Sequence, residues 1–257
     1  MNLGEQLDLL LGRTGWQTCN NGSRQRDWLN QFGEEPLGVA LPRSTAEVAE
    51  VVRLCRAADV PLVPQGGNTS LVGGSVLGVR GGVILSLARM SAISKPDIES
   101  GVIEVEAGVI LANLHQALEG TGFMFPMHLG SEGSAQIGGL IATNAGGSHA
   151  FRYGMMQDLV LGLEVVLPDG SVWDGMRRVQ KDNTGYQLRK IFCGAEGTLG
   201  ITTRAVLKLA SKPIRQITLL VAAPDFHSVV RFGTQCRMRA GEFLSAMEFF
   251  SDFGLES

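Results

Sequence analysis

The amino-acid sequence predicts an α+β fold, with helices packed on mixed and antiparallel sheets. The first half alternates strand-like and helix-like runs, whereas the middle holds a hairpin signal and one further long strand. This combination fits α+β packing better than a doubly wound parallel sheet. The third observation is that the 34 glycines follow no collagen period and concentrate in 61–82, 120–147 and 194–200, beside predicted strands.

The first predicted elements are a helix and two strands. Residues 44–47 read STAE, which is a capping-box pattern, and apolar residues continue from it at helical spacing to about residue 59. A short strand then covers 61–63, and GVILSL at 82–87 is the next strand.

The middle of the chain turns to β structure. GVIEVEAG at 101–108 alternates as a strand does, and 110–122 reads as a helix that ends at glycine. LGLEVVLPDGSVW at 161–173 is a hairpin signal around Pro-Asp-Gly, and 197–210 is a further strand.

The composition changes after Ser-Lys-Pro at 211–213, which predicts a domain boundary. Beyond it we expect a strand at 214–223, a helix at 226–238 and a strand at 243–250. Such a β-α-β unit is half of a ferredoxin-like arrangement and cannot bury its apolar sheet face alone. Self-association, packing on the first domain or a continuation of the chain could each cover that face.

Composition excludes several classes of protein. Of the 257 residues 44% are hydrophobic and 18% are charged, which is ordinary for a globular protein. The formal net charge of -3 argues against nucleic acid or an anionic membrane as a partner. No run reaches membrane-spanning length, and the first residues lack the pattern of a secretory signal. We therefore expect a cytoplasmic protein without a transmembrane segment.

Neither cysteine nor histidine shows a metal-binding pattern along the chain. The four cysteines contain no CxxC pair, so we expect reduced and mostly buried thiols: Cys19, Cys55, Cys193 and Cys236. The four histidines show no short-spaced pairing with each other or with cysteine, so no metal ligand is expected among them: His115, His128, His149 and His227.

Residues 61–75 read PLVPQGGNTSLVGGS, a glycine-rich stretch directly after a short strand. A P-loop requires Gly-Lys-Ser/Thr and a Rossmann turn requires GxGxxG, and neither pattern occurs. A nest is the third device, in which successive backbone N–H groups bind an anion. With no basic residue between Arg56 and Arg80, neutral dipoles would hold a pyrophosphate. The alternative is a mobile surface loop of the same composition.

Two further glycine-rich stretches favour a cleft over a simple turn. In 130–154 paired glycines flank the small residues 142–145, which would let the backbone lie against a flat ring. In GAEGTLGIT at 194–202, two glycines bracket Thr198 and Leu199, and Ile201 offers an apolar face.

These segments resemble a known family when they are taken in series. PQGGNTSLVGG, IGGLIATNAGG, RYG, LGLEVVLPDG, KDNTGY and AEGTLGI closely resemble the FAD-binding domain of the p-cresol methylhydroxylase and vanillyl-alcohol oxidase superfamily (PCMH-type). Within it they look most like the FAD-linked D-2-hydroxy-acid dehydrogenases, the group of D-2-hydroxyglutarate dehydrogenase, D-lactate dehydrogenase and the glycolate oxidase subunit. The resemblance runs from about Pro42 to the end of the chain.

The resemblance implies which residues bind FAD. The pyrophosphate would be held by the first loop: Gly66, Gly67, Asn68, Thr69, Ser70, Gly74 and Ser75. The flavin and ribityl chain would be lined by the second and third segments: Gly138, Thr143, Asn144, Ala145, Gly146, Gly197 and Ile201. Ser70 departs from the glycine that relatives often have. Relatives with covalent flavin commonly use a histidine of the first loop, and none is present, so FAD should be non-covalent.

The resemblance also implies a reaction and a domain order. An N-terminal extension would cover 1–40, the PCMH-type FAD-binding domain of two α+β subdomains 41–212, and a partial ferredoxin-like cap 213–257. A D-2-hydroxy acid, such as D-2-hydroxyglutarate or D-lactate, would be oxidised to the 2-oxo acid by hydride transfer to flavin. Electrons would pass to a quinone, an electron-transfer flavoprotein or another acceptor.

No catalytic residue is assigned within this sequence. In the family the substrate-binding Arg and Lys, the metal-binding histidines and a catalytic His lie in the part of the cap that would follow residue 257. This chain would therefore supply FAD binding. The alternatives are a non-catalytic FAD-carrying electron-transfer subunit that a partner chain completes, and a glycine-rich module without cofactor. A homo-oligomer or a partner chain would be compatible with the exposed cap.

Overall fold

The computed structural model describes residues 1–18 and 24–251, and it confirms the α+β class. The helices are α1 Leu3–Leu11, α2 Thr45–Ala57, α3 Leu111–Ala117, α4 Ile137–Ala142, α5 Ala150–Tyr153, α6 Met156–Leu159, α7 Arg189–Phe192 and α8 Phe226–Ala240. The strands are β1 Trp16–Thr18, β2 Gly38–Ala40, β3 Leu62–Gln65, β4 Val83–Ser86, β5 Val102–Glu106, β6 Phe123–Met124, β7 Val160–Val166, β8 Val172–Gly175, β9 Ile201–Lys208 and β10 Ala210–Ser211.

A first sheet has the strand order β1-β2-β4-β3. Strands β2, β4 and β3 are parallel, and β1 is antiparallel at the edge. Helices α1 and α2 supply buried Leu7 and Val51 to the core of this sheet, together with Trp16 of β1. Residues 1–40 thus contribute α1, β1 and β2 to this layer. The division of the chain into domains stays a prediction.

Helix α2 begins as its sequence predicts. The Ser44 hydroxyl accepts a hydrogen bond from the backbone N–H of Glu47 at 3.2 Å. In a capping box the Glu47 carboxylate would accept a hydrogen bond from the backbone N–H of Ser44. Here it accepts from the N–H of Arg43, one residue earlier, at 2.7 Å.

A second sheet is antiparallel, with the order β5-β9-β7-β8. The predicted hairpin is present as β7 and β8, and Gly170 in its turn has a φ of 78°. Phe125, Leu163 and Ile137 belong to the main apolar core on this sheet. Strands β6 and β10 form a separate antiparallel pair.

The two sheets are joined by a polar contact at Glu164 on β7. Its Oε1 atom accepts a hydrogen bond from Thr45 of α2 at 2.6 Å and another from Thr203 of β9 at 2.8 Å. One carboxylate therefore connects the helix on the first sheet to the second sheet.

The segment after 213 forms only part of the predicted β-α-β unit. The helix is present as α8, whereas the strand predictions for 214–223 and 243–250 are wrong, since neither range contains a strand. Alternating apolar residues favour a strand only where a neighbouring strand supplies hydrogen bonds and a covered face. Ile214, Leu219 and Leu220 are exposed instead. Among the described residues, no helix has the length and apolar character needed to cross a membrane.

Candidate functional site

A groove lies where the two sheets meet, and all three glycine-rich segments contribute to its walls. The first segment follows β3, the second surrounds α4, and the third leads into β9. The first and third segments are more than a hundred residues apart in the sequence, so only the tertiary fold makes the three segments one site.

The first loop is packed tightly against the second segment. A Cβ atom on Gly67 would lie 2.0 Å from the carbonyl oxygen of Ser134, and one on Gly66 would lie 3.4 Å from the Cα of Gly139. The first distance is far shorter than a contact allows, whereas the second is an ordinary van der Waals contact. Glycine is therefore required at 67 for the approach of the two backbone segments.

Asn68 holds the bend of the same loop. Its φ is 52°, a left-handed conformation that Asn tolerates better than most residues. Its side chain donates to the carbonyl of Arg26 at 2.7 Å and accepts from the Ser75 hydroxyl at 2.7 Å. These two hydrogen bonds hold the bend at Asn68 against Arg26 and Ser75.

The loop leaves a row of backbone donors unpaired. Within residues 1–18 and 24–251, no hydrogen bond is donated by the backbone N–H of Gly67, Asn68, Thr69 or Ser70. These four residues are partly exposed and line the groove. Successive free N–H groups in a loop of small residues are the donor set that a nest presents to an anion.

Arg24 lies beside this loop, and the sequence did not predict its contact with the loop. Its guanidinium donates to the Ser86 hydroxyl at 2.7 Å, and Gln65 donates to the carbonyl oxygens of Arg24 and Ser75 at 2.9 Å each. Burial lowers the pKa of Arg24. A cation thus lies beside the first loop although none occurs within it, and no sequence motif near Arg24 marked the contact.

In the second segment, α4 packs against the residue that follows strand β5 and forms one wall of the groove. The N–H of Gly138 donates to the carbonyl of Ala107 at 2.7 Å, and a Cβ on Gly138 would lie 2.8 Å from the Cβ of Ala107. The neighbouring Gln136 is buried, and its Oε1 atom has no hydrogen-bond partner among the described residues. The wall therefore holds an unsatisfied acceptor, which sequence reasoning did not identify.

The third segment closes the opposite wall. Gly197 has a φ of 78°, and a Cβ there would lie 2.5 Å from Cγ of Pro64. Glu196 is also left-handed, at 49°, and its N–H donates to the carbonyl of Ala142 at 2.8 Å. Glu196 is the single charged side chain among the described residues that line the groove. Neutral dipoles thus dominate the lining, as the composition of the loops predicts.

Twelve of the fourteen predicted cofactor-binding residues line this groove: Gly66, Gly67, Asn68, Thr69, Ser70, Gly74, Ser75, Gly138, Thr143, Ala145, Gly197 and Ile201. Asn144 and Gly146 are not among the lining residues. Asn144 has a φ of 46° and accepts from the N–H of Gln157 at 2.9 Å, so it shapes the turn after α4. A Cβ on Gly146 would lie 2.6 Å from the Sδ of Met155.

The cysteines are free thiols where the structure describes them. Cys55 is buried, and Cys193 and Cys236 are partly buried. Cys19 lies outside the described residues. Burial raises the pKa of both the Cys55 and the Cys193 thiol to about 11, which makes them poor nucleophiles.

The comparisons with known proteins agree with this geometry. The model of a family described as "FAD binding domain" matches residues 36–175. A mitochondrial D-2-hydroxyglutarate dehydrogenase of Bos taurus is 43% identical over 87% of this chain and 41% of its own length. A D-2-hydroxyglutarate–pyruvate transhydrogenase of Saccharomyces cerevisiae is 37% identical over 91% of this chain and 47% of its own length.

A solved structure shares the fold. An alkyldihydroxyacetonephosphate synthase superposes with a TM-score of 0.72 at 25% identity, covering 83% of this chain and 41% of that one. The chain therefore spans less than half the length of the curated relatives and of this structure.

The relatives correct one expectation from the sequence. A cytoplasmic location is wrong by this comparison, because the cattle, Arabidopsis and zebrafish relatives are all named as mitochondrial. The expectation rested on the lack of a secretory pattern in the first residues, and that lack carries no information about an organelle.

Proposed function

This chain belongs to the family of FAD binding domains, and from that premise we propose that it holds FAD non-covalently within a dehydrogenase of D-2-hydroxy acids. The cofactor follows from the family. The substrate class rests on the names of the relatives, which include D-2-hydroxyglutarate dehydrogenases at 40–43% identity.

The observation that carries the proposal is the row of four unpaired N–H groups at Gly67–Ser70 in a groove built from glycine contacts. A dinucleotide with a pyrophosphate needs such donors, and the unsatisfied acceptor of Gln136 suits a ring edge that carries N–H groups. The residues therefore fit the group that the family implies.

We assign the first loop and the Gly74–Ser75 turn to the pyrophosphate, and the walls around Gly138, Thr143 and Ile201 to the flavin and ribityl chain. Asn144 and Gly146 would determine the backbone conformation of the second wall. The Glu196 carboxylate lies next to Gly74, where its Oε2 atom would be 3.0 Å from an added Cβ. The phosphate groups would therefore lie nearer the free N–H groups of residues 67–70, because like charges repel.

The redox chemistry, removal of the substrate's α-hydrogen as a hydride, would be supplied by the bound FAD. This chain's own residues bind and orient that cofactor, and the apolar side chains of the groove exclude water from one of its faces. Glu196 is the sole ionisable side chain along the described lining of the groove. We therefore assign no residue as the base that removes the proton of the substrate's hydroxyl group.

The lack of an assigned base favours a second candidate function, that of an FAD-carrying electron-transfer subunit whose substrate site is supplied by another chain. The small-molecule substrate would be a 2-hydroxy acid in the first case. In both cases a quinone or an electron-transfer flavoprotein would receive the electrons.

Anaerobic titration of the FAD-loaded chain tests the substrate class. D-2-hydroxyglutarate, D-lactate and D-malate are added in turn while the visible flavin band is followed, with the L enantiomers as matched controls. We expect slow bleaching that prefers a D enantiomer. Bleaching that is equal for both enantiomers would contradict the assignment to D-2-hydroxy acids, and rapid bleaching would show that a catalytic base lies in this chain.

A further inference from the structure

We propose that His115, His128 and Glu132 form a binding site for a divalent metal ion of the zinc class. One ligand atom from each of the three lies within 4.8 Å of the others. Nδ1 of His128 is 3.1 Å from Oε2 of Glu132, and Nδ1 of His115 is 3.8 Å from the same oxygen. The two imidazole rings have centroids 4.5 Å apart.

These donors suit zinc in both type and spacing. Zinc binds imidazole nitrogen and carboxylate oxygen at about 2.0–2.2 Å, so its donors stand roughly 3.3–3.5 Å apart. The Glu132 oxygen lies 3.1 Å from Nδ1 of His128, slightly inside this spacing, and 3.8 Å from Nδ1 of His115, slightly outside it. A small rotation of the His115 ring would complete a three-ligand set.

A plain hydrogen-bonded cluster explains the geometry less well. A proton on Nδ1 of His128 satisfies Glu132, but 3.8 Å is too long for a hydrogen bond from His115. Nε2 of His115 is buried and has no partner among the described residues, and neither has Nδ1 of the adjacent His149. Two imidazole rings and one carboxylate therefore converge, and the hydrogen bond between His128 and Glu132 does not account for the position of His115.

The backbone holds the ligands in place before any ion binds. His115 lies on α3, and the N–H of Ala112 in the same helix donates to the carbonyl of Glu132 at 3.0 Å. The carbonyl of His128 accepts from the N–H of Ser148 at 3.1 Å. The site would therefore join α3 to the 128–134 loop through side chains as well as backbone.

One side of the cluster is open. His128 and Glu132 line a shallow hollow together with Gly147, Ser148 and Glu248. A zinc ion there has room for a fourth ligand, which water could supply. The loop residues Leu129 and Ser131 line the glycine groove, so an ion would also stiffen one wall of it.

Zinc content tests the site directly. The FAD-loaded chain is incubated with zinc chloride, dialysed against metal-free buffer and assayed for zinc per chain by mass spectrometry, and its affinity is measured by competition with a chromophoric chelator. We expect one zinc per chain. His128→Asn and Glu132→Gln should each weaken binding by more than the roughly 10- to 100-fold that loss of a supporting residue costs. The matched control His227→Asn removes an exposed histidine of α8 and should retain the metal.

Two further measurements keep the proposal open to disproof if a variant folds poorly. X-ray absorption at the zinc edge of the parent should show two imidazole ligands, and zinc should raise the Tm of the parent and of His227→Asn, but not of Glu132→Gln. Circular dichroism and FAD content check that each variant is folded. Less than stoichiometric zinc in the parent, or equal zinc affinity in parent and cluster variants, would overturn the site.

Discussion

Gly67 and Ser134 lie so close together that a Cβ atom on Gly67 would stand 2.0 Å from the Ser134 carbonyl oxygen. This contact locks the first glycine loop to the second wall of the groove. The loop then presents its free N–H groups in one fixed arrangement. The FAD assignment depends on that arrangement, and the contact can be broken by a single substitution.

Gly67→Val should abolish FAD binding. The new side chain must displace either the loop or the Ser134 carbonyl, and several charge-assisted hydrogen bonds are lost together at about 1.5–3 kcal/mol each. FAD affinity is measured by flavin fluorescence quenching. Gly78→Ala is the matched control, since a Cβ at Gly78 meets nothing within 4 Å, and it should bind as the parent does. An unchanged affinity for Gly67→Val would mean that this loop is only a surface turn.

Thr69→Ala should have a smaller effect than Gly67→Val. Thr69 lines the groove, and loss of one hydroxyl bond to a charged group costs about 1.5–3 kcal/mol, which is roughly 10- to 100-fold in affinity. The same fluorescence titration gives the value. A loss as complete as that of Gly67→Val would indicate that Thr69 shapes the loop and does not merely donate to the ligand.

Glu164→Ala should destabilise the fold. The substitution leaves the hydroxyl of Thr45 without its acceptor, and that of Thr203 keeps only its longer bond to the backbone carbonyl of residue 164 at 3.3 Å. Unsatisfied buried groups cost about 1–3 kcal/mol. The free energy of unfolding in urea measures this. Glu50→Ala, which removes an exposed ion pair with Arg53, should change it by less than about 1 kcal/mol. Similar losses in both variants would contradict a structural role for Glu164.

The thiols of Cys55 and Cys193 should resist alkylation at pH 8. Burial raises the pKa of each to about 11, so the reactive thiolate is a minor species well below that pH and becomes abundant only as the pH approaches it. Peptide mapping after brief iodoacetamide treatment measures the labelling, with the urea-unfolded chain as control. Complete labelling of native Cys55 within minutes would show that its burial is overstated.

Local patterns in the sequence predict much of this fold because local chemistry determines the elements concerned. The cap at Ser44 fixes the start of α2, and the Pro-Asp-Gly turn fixes the β7–β8 hairpin. The left-handed residue of the first loop is Asn68, and Gly67 is not left-handed. Gly67 is required because its backbone lies against the carbonyl of Ser134. The sequence around Gly67 does not reveal this contact.

The parts that sequence reasoning missed depend on tertiary contacts. His115 and His128 belong to separate elements, and only the fold brings their rings to 4.5 Å. Arg24 likewise meets Ser86 through the packing of distant segments. The apolar runs after 213 have strand-like patterns, but a strand also needs a partner, and the pattern says nothing about one.

The identity and stoichiometry of the bound cofactor test whether this groove is an FAD site. The purified chain is saturated with FAD, freed of excess cofactor and denatured, and the released flavin is identified by chromatography, with FMN and NAD offered in parallel. We expect one FAD per chain, released on denaturation without covalent attachment, and no retention of FMN or NAD. A well-folded chain that retains no flavin in excess FAD, or that retains FMN equally well, would contradict it.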